Sequence, residues 1–193
     1  MDEPLRALLL AWIADDDRTR ARLAADGSLH RGYHPEMEAV HRVNAARLRE
    51  VVDAGGWPGR ARVGDEGASA AFRILQHAIG EPELLRAYLP RLQDAAARGD
   101  VDPAEVAMLE DRIRVSEGRL QRYGTQYDWS DDGAAMVPMN GVEAPEGVDR
   151  RRAEVGLPPM VWRRPPPEGE APPEDLARRR AEMEAWARRV GWR

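Results

Sequence analysis

Apolar positions recur along most of this chain at three- and four-residue intervals, the period of a buried helix face. Leu5, Leu8, Leu9 and Ile13 predict a first helix over residues 2–25, opened by acids and ended at Asp26-Gly27-Ser28. After a connection at His30–Tyr33, Pro35 with Glu36 and Glu38 opens a second helix that runs to about Ala54 and stops at Gly55-Gly56. Met37, Val40, Leu48, Val51 and Val52 share one face of it. At about 100° per residue, His41 and Asn44 fall near the centre of that apolar face. GWPGRARVGDEG, residues 56–67, reads as a glycine-rich loop with Trp57 plugging the core. A third helix is expected from Ala68 to Ile79, with Gln76 and His77 flanking its apolar side. A fourth spans Pro82 to Arg98, where Pro90 removes a ladder hydrogen bond and should kink or split it. Asp102-Pro103 opens a fifth, reaching Glu117 along Val106, Leu109 and Ile113, with Leu120 just beyond.

The period then breaks. YGTQYDW, SDDG and AAMVPMN predict two short strands and a turn, a hairpin near residues 123–138. A short helix at 145–155 carries the arginine run 150–152. RRPPPEGEAPP, residues 163–173, is a stiff spacer, and Glu174–Val190 form a last amphipathic helix with Leu176, Met183, Trp186 and Val190 on one side. The expected fold is mainly α: one helical domain over residues 1–165 with a small β-hairpin, and a tethered C-terminal helix over 166–193.

Composition removes whole chemistries. The chain has no cysteine, which excludes thiolate catalysis, disulfides and cysteine-based zinc sites. All 29 basic residues are arginine, so Schiff-base chemistry and a lysine-bearing phosphate loop are excluded too. None of the few serines sits in a G-x-S-x-G elbow, which argues against a serine hydrolase. A net charge of −5 argues against nucleic-acid binding. No run is long and apolar enough for a membrane span, and the acidic start does not resemble a signal peptide. A cytoplasmic protein is expected.

Candidate chemistry lies in polar groups on or beside apolar stripes. His41 can serve as a general base and Asn44, one turn on, can orient a substrate; each can equally be a buried group satisfied by backbone. Among possible metal pairs, His30 and His34 are separated by Gly32, and Glu38 with His41 forms a single Glu-x-x-His, short of a di-iron set. No metal and no cofactor are expected. Arg112 has no acid one turn away on its helix, so solvent or a distant partner faces it. Glu110 and Glu117 lie nearer the stripe, where burial can raise a carboxyl pKa. Arg150–Arg152 can clamp an anion or form a solvated face.

Trp57-Pro58, Gln76-His77-Ala78, Asp111-Arg112, Gln121-x-Tyr123-Gly124-Thr125-Gln126, Val148-Asp149-Arg150-Arg151-Arg152 and Gly156-Leu157 together resemble a bacterial family of unknown function, the one numbered 6624. The resemblance covers about residues 35–165. It implies that His77, Asp111, Arg112, Gln121, Tyr123 and Gln126 belong to one recurring pattern, and it brings no activity with it. Members often carry an acid soon after the QHA, where this chain has Ile79. The reading that follows is a cofactor-independent enzyme, hydrolase or lyase in type, acting on a small anionic or amide-bearing molecule. His41 or His77 is its acid/base and Asp111 the orienter. Arg112 or Arg151 clamps the anion, and Asn44, Gln121, Tyr123 and Gln126 bind substrate. The alternative is a non-catalytic module that binds a partner protein through its C-terminal helix. That helix is expected to dock on its own chain, with a homodimer or a protein partner as the other occupants of its apolar side.

Overall fold

The computed structural model describes residues 1–30, 33–169 and 171–193. The connection expected at residues 30–33 therefore lies, at Arg31 and Gly32, outside the described residues. The protein is mainly α-helical with one two-stranded antiparallel hairpin. It divides into two compact units, Met1–Asp102 and Pro103–Arg193, a boundary in the turn before the fifth helix and not at the proline-rich spacer.

The first unit holds α1 (Glu3–Ala25), α2 (Pro35–Gly55), α3 (Arg60–His77) and α4 (Pro82–Ala97). Asp2 caps α1 by accepting from Leu5 N–H. On α1 the buried stripe is Leu5, Leu9, Ile13, Asp16 and Leu23, while Leu8 is exposed. His34 caps α2 by accepting from Glu36 N–H, with Pro35 in the first turn, and Gly56 ends it at φ 77°. The third helix differs most from its sequence reading: it starts at Arg60, inside the expected loop, and bends at Gly64, whose φ is 71°. The glycines that imitate a loop there have separate roles: Gly56 ends α2, Gly64 bends α3, and Gly67 makes room within it. A Cβ on Gly67 would stand 2.8 Å from Val63 Cβ, one turn back across the bend, and 3.3 Å from Arg6 Cγ of α1, so the bent helix leaves no room for a side chain there. The fourth helix passes through Pro90 without a break. Trp57 is half-buried, its ring edge-on to Tyr88 at 6.4 Å.

The second unit begins with α5 (Pro103–Ser116), followed by strands β1 (Tyr127–Trp129) and β2 (Met136–Pro138), the short α6 (Val148–Glu154) and α7 (Leu176–Val190). The strands pair Tyr127 with Pro138, Asp128 with Val137 and Trp129 with Met136. Asp175 caps α7 by accepting from Arg178 N–H. The helix is tied to the hairpin: Arg179 donates to Asp128 at 2.7 Å and Arg180 to the Trp129 carbonyl at 2.5 Å. Arg193 reaches the Ser116 carbonyl of α5 at 2.9 Å, and Trp186, Ala187 and Trp192 are buried. The C-terminal helix thus belongs to this unit. No described helix is long and apolar enough to cross a membrane.

Candidate functional site

Two polar constellations lie in the core, one in each unit. In the first unit the helical period of α1 carries Asp16 onto the buried stripe, three residues past Ile13 and seven before Leu23. Its carboxyl group is 1% exposed. His77 from the last turn of α3 places Nδ1 2.8 Å from Asp16 Oδ2. From α2, His41 places Nε2 3.2 Å from the same oxygen, at ion-pair distance but off the hydrogen-bond line. The two imidazoles are 5.1 Å apart between centroids. On its other side His41 Nδ1 meets the Tyr33 hydroxyl at 2.6 Å.

Burial alone would push the Asp16 carboxyl up, but the imidazoles of His41 and His77 outweigh it and hold it well below the usual carboxylate range. An ionised carboxylate only accepts, so His77 donates to it through Nδ1–H. That side chain is 28% exposed, against 11% for His41. Among the described residues, Asp16 Oδ1 and His41 Nε2 are buried without a hydrogen-bond partner. Asp16, His41 and His77 also offer three metal-ligand atoms that all lie within 4.8 Å of one another. The arrangement can therefore do proton transfer through an oriented imidazole, or hold a cation.

The second constellation is the YGTQ element, and its polar atoms are engaged by the unit's own backbone. Asp111, 0% exposed on α5, accepts at Oδ1 from Arg122 N–H at 2.7 Å. Its Oδ2 accepts from Thr125 N–H and from the Thr125 hydroxyl, each at 3.0 Å, and Tyr123 N–H lies 3.1 and 3.2 Å from the two oxygens. Gln121 donates to the carbonyls of Gln126 and Met139 at 2.8 and 2.7 Å and accepts from Gln126 N–H at 2.7 Å. Gln126 itself donates to the Thr125 hydroxyl at 3.0 Å. From α6, Arg152 is 2% exposed and donates to the carbonyls of Tyr123 and Pro158, both at 2.6 Å. Arg151 donates to the carbonyls of Arg122 and Glu143 at 2.9 and 2.6 Å. A loop with this many inward backbone groups is stable only when each finds a partner, and these side chains are the partners.

Gly124 completes the loop at φ 66°, and a Cβ there would stand 2.6 Å from Met160 Cε and 3.1 Å from Val142 Cγ2. Gly124→Ala is expected to cost about 1–3 kcal/mol, from the left-handed backbone and the crowding. Urea unfolding followed by fluorescence measures it, and a variant as stable as the parent would contradict the tight loop.

Several sequence expectations change here. The carboxylate beside the two imidazoles is Asp16, hydrogen-bonded to His77; Asp111, expected as the orienter, accepts from backbone N–H groups. Of the residues expected to bind substrate, Gln121 and Arg151 engage backbone groups of this element, and the Gln126 side chain donates to the Thr125 hydroxyl and the Met108 carbonyl of α5. Tyr123 is buried, and burial followed by nearby Glu110 pushes its phenol pKa up. Arg112 is half-buried on α5. Burial likewise raises the Glu110 carboxyl, with Arg122 and Arg114 pulling it back. Asn44 is buried on α2 as its stripe predicts, donating to the Trp12 carbonyl at 3.2 Å. The arginine run divides by helix spacing: Arg150 is exposed while Arg151 and Arg152 turn to carbonyls. Of the paired histidines, His34 caps α2, and the His30 side chain lies outside the described residues. The residues missed from sequence are Asp16 and Tyr33. Asp16 has a usable signal, an acid in phase with Leu9, Ile13 and Leu23, whereas nothing in the local pattern marks Tyr33.

No curated protein and no solved structure matches the chain. A family model matches residues 5–163, which takes in α1 and Asp16 as well as the loop around Gly124. The chain belongs to the family of unknown function DUF6624.

Proposed function

We propose that the protein is an enzyme of hydrolase or lyase type whose reacting centre is the Asp16–His77 pair, with His41 and Tyr33 beside it. The observation that carries this reading is the 2.8 Å contact between His77 Nδ1 and a carboxylate that is 1% exposed, on an imidazole that is itself 28% exposed. Asp16 fixes the tautomer and stabilises the imidazolium that forms. Nε2 then accepts a proton from water in a hydrolysis, or from carbon in an elimination, and returns it to the leaving group. With neither lysine nor cysteine in the chain, an imidazole is the base available near neutral pH. The substrate class that suits it is a small anionic or amide-bearing molecule, turned over without a redox cofactor. A net charge of −5 fits a cytoplasmic enzyme that does not bind nucleic acid. The alternative, a partner-binding module, drew on the C-terminal helix; burial of Trp186 and Trp192 within its own unit favours the enzymatic reading over it.

The test is a thermal-shift screen of small acids and amides in chelator-treated buffer, run on the parent and on His77→Ala, followed by product analysis of each hit. At least one compound is expected to stabilise the parent and to be converted by it. Conversion should fall about 10²–10⁴-fold in His77→Ala, the usual contribution of a positioned general base. A screen without hits, or a hit converted equally well by the variant, would overturn the reading.

A further inference from the structure

The Asp16 cluster has a second use that rests on its geometry alone and requires no reaction there. We infer that Asp16, His41 and His77 bind one divalent transition-metal ion of the zinc class. Two imidazoles and a carboxylate are the ligand types such ions take in a cysteine-free protein. The spacing is close to what an ion needs. Ligands held tetrahedrally about 2.0–2.2 Å from one ion stand roughly 3.3–3.6 Å apart; Asp16 Oδ2 is 3.2 Å from His41 Nε2, and its 2.8 Å contact with His77 Nδ1 must open by about half an ångström when the ion replaces the shared proton. Three helices supply the ligands, Asp16 from α1, His41 from α2 and His77 from α3, so the set is held by packed elements and not by a loop.

Two further features point to a cation. Asp16 Oδ1 and His41 Nε2 are buried and have no hydrogen-bond partner among the described residues, although buried polar atoms almost always have one. An ion bound to the Asp16 carboxylate gives His41 Nε2 the partner it lacks. The Tyr33 hydroxyl, 2.6 Å from His41 Nδ1, sits where outer partners of metal-bound histidines commonly sit, on the ring nitrogen away from the metal. In the metal-bound form the Tyr33 oxygen accepts from His41 Nδ1–H, which leaves the Nε2 lone pair for the ion. At His77 the ion takes the place of the Nδ1 proton shared with Asp16, and that proton leaves to solvent. The metal-bound and proton-sharing forms of the cluster therefore exclude each other. Three protein ligands leave a coordination position for water, and the partial exposure of His77 gives solvent access to the cluster.

The experiment is isothermal titration of the chelator-stripped full chain with zinc chloride, with magnesium chloride as the hard-ion control. One zinc per chain is expected, with little response to magnesium. His41→Ala and His77→Ala should each weaken zinc binding by about 100-fold or more, Tyr33→Phe by roughly 10-fold, and His34→Ala should leave it unchanged. Melting curves establish that each variant is folded. Cobalt(II) added to the parent protein gives an independent readout, since ion held by nitrogen and oxygen ligands shows visible absorption bands that zinc then abolishes. No stoichiometric zinc binding, absent cobalt bands, or zinc binding that survives both histidine variants would each overturn the inference. Such a result leaves the enzymatic reading standing, because that reading is tested by conversion of compounds in chelator-treated buffer.

Discussion

Replacing Asp111 by asparagine is expected to cost the second unit about 3–5 kcal/mol, a large effect for an isosteric change. The carboxylate is fully buried and meets the backbone N–H groups of Arg122, Tyr123 and Thr125 together with the Thr125 hydroxyl. An asparagine keeps one acceptor oxygen and turns an NH₂ group toward donors that need an acceptor. Placed at Oδ2, that amide leaves Thr125 N–H unpaired and opposes it. Placed at Oδ1, it does the same to Arg122 N–H. A buried donor left unmade costs roughly 1–3 kcal/mol, and the bonds that survive lose the strength a charged acceptor confers. The Thr125 hydroxyl can rotate to accept, which keeps the estimate from rising further. Tryptophan fluorescence during urea unfolding reads the outcome, because Trp129, Trp162, Trp186 and Trp192 all lie in this unit. A loss under about 1 kcal/mol would show that the loop holds itself without Asp111.

Deleting residues 166–193 is expected to lower the melting temperature of the second unit by more than 10 °C while the protein stays in the same mass class. The truncation removes Trp186, Ala187 and Trp192 from burial and breaks the bonds from Arg179, Arg180 and Arg193 to the hairpin and α5. Two buried tryptophans hide about 300–500 Å² of surface, a gross gain of roughly 7–12 kcal/mol at 25 cal/mol per Å². Ordering the helix and spacer offsets much of that gain. A net loss of about 3 kcal/mol already shifts the midpoint by roughly 12–24 °C in a unit of this size. Calorimetry with size-exclusion chromatography measures both quantities. Unchanged melting would mean that the helix contributes nothing to the unit, and a drop in mass class would mean that it joins two chains.

The enzymatic and metal-binding readings use the same three side chains, and they make opposite predictions for added zinc. If the Asp16–His77 pair works as a base, zinc at the cluster removes the shared proton arrangement and stops it. Activity that zinc enhances would instead make the ion part of the catalyst.

Helix positions were legible from apolar period and caps because both are local: Pro35 and Gly56 bound α2, and Asp102-Pro103 leads into α5. The hairpin at Tyr127–Pro138 was equally legible, since its alternation stands out against helical surroundings. The start of α3 was not. Glycine density signals a loop when read along the chain, but here Gly64 bends a helix and Gly67 leaves room for Val63 across that bend. His41, Asn44 and His77 were found because polar residues on or beside an apolar stripe break a local rule. Their partner was not found, since Asp16 lies 25 residues before His41 and 61 before His77, and no periodicity spans such separations. The YGTQ element shows the reverse. Its residue types were visible, but whether Asp111, Gln121 and Arg152 face a ligand or their own backbone depends on where the chain returns. A polar side chain in sequence records only that a hydrogen-bonding group is present; the fold decides which group it meets.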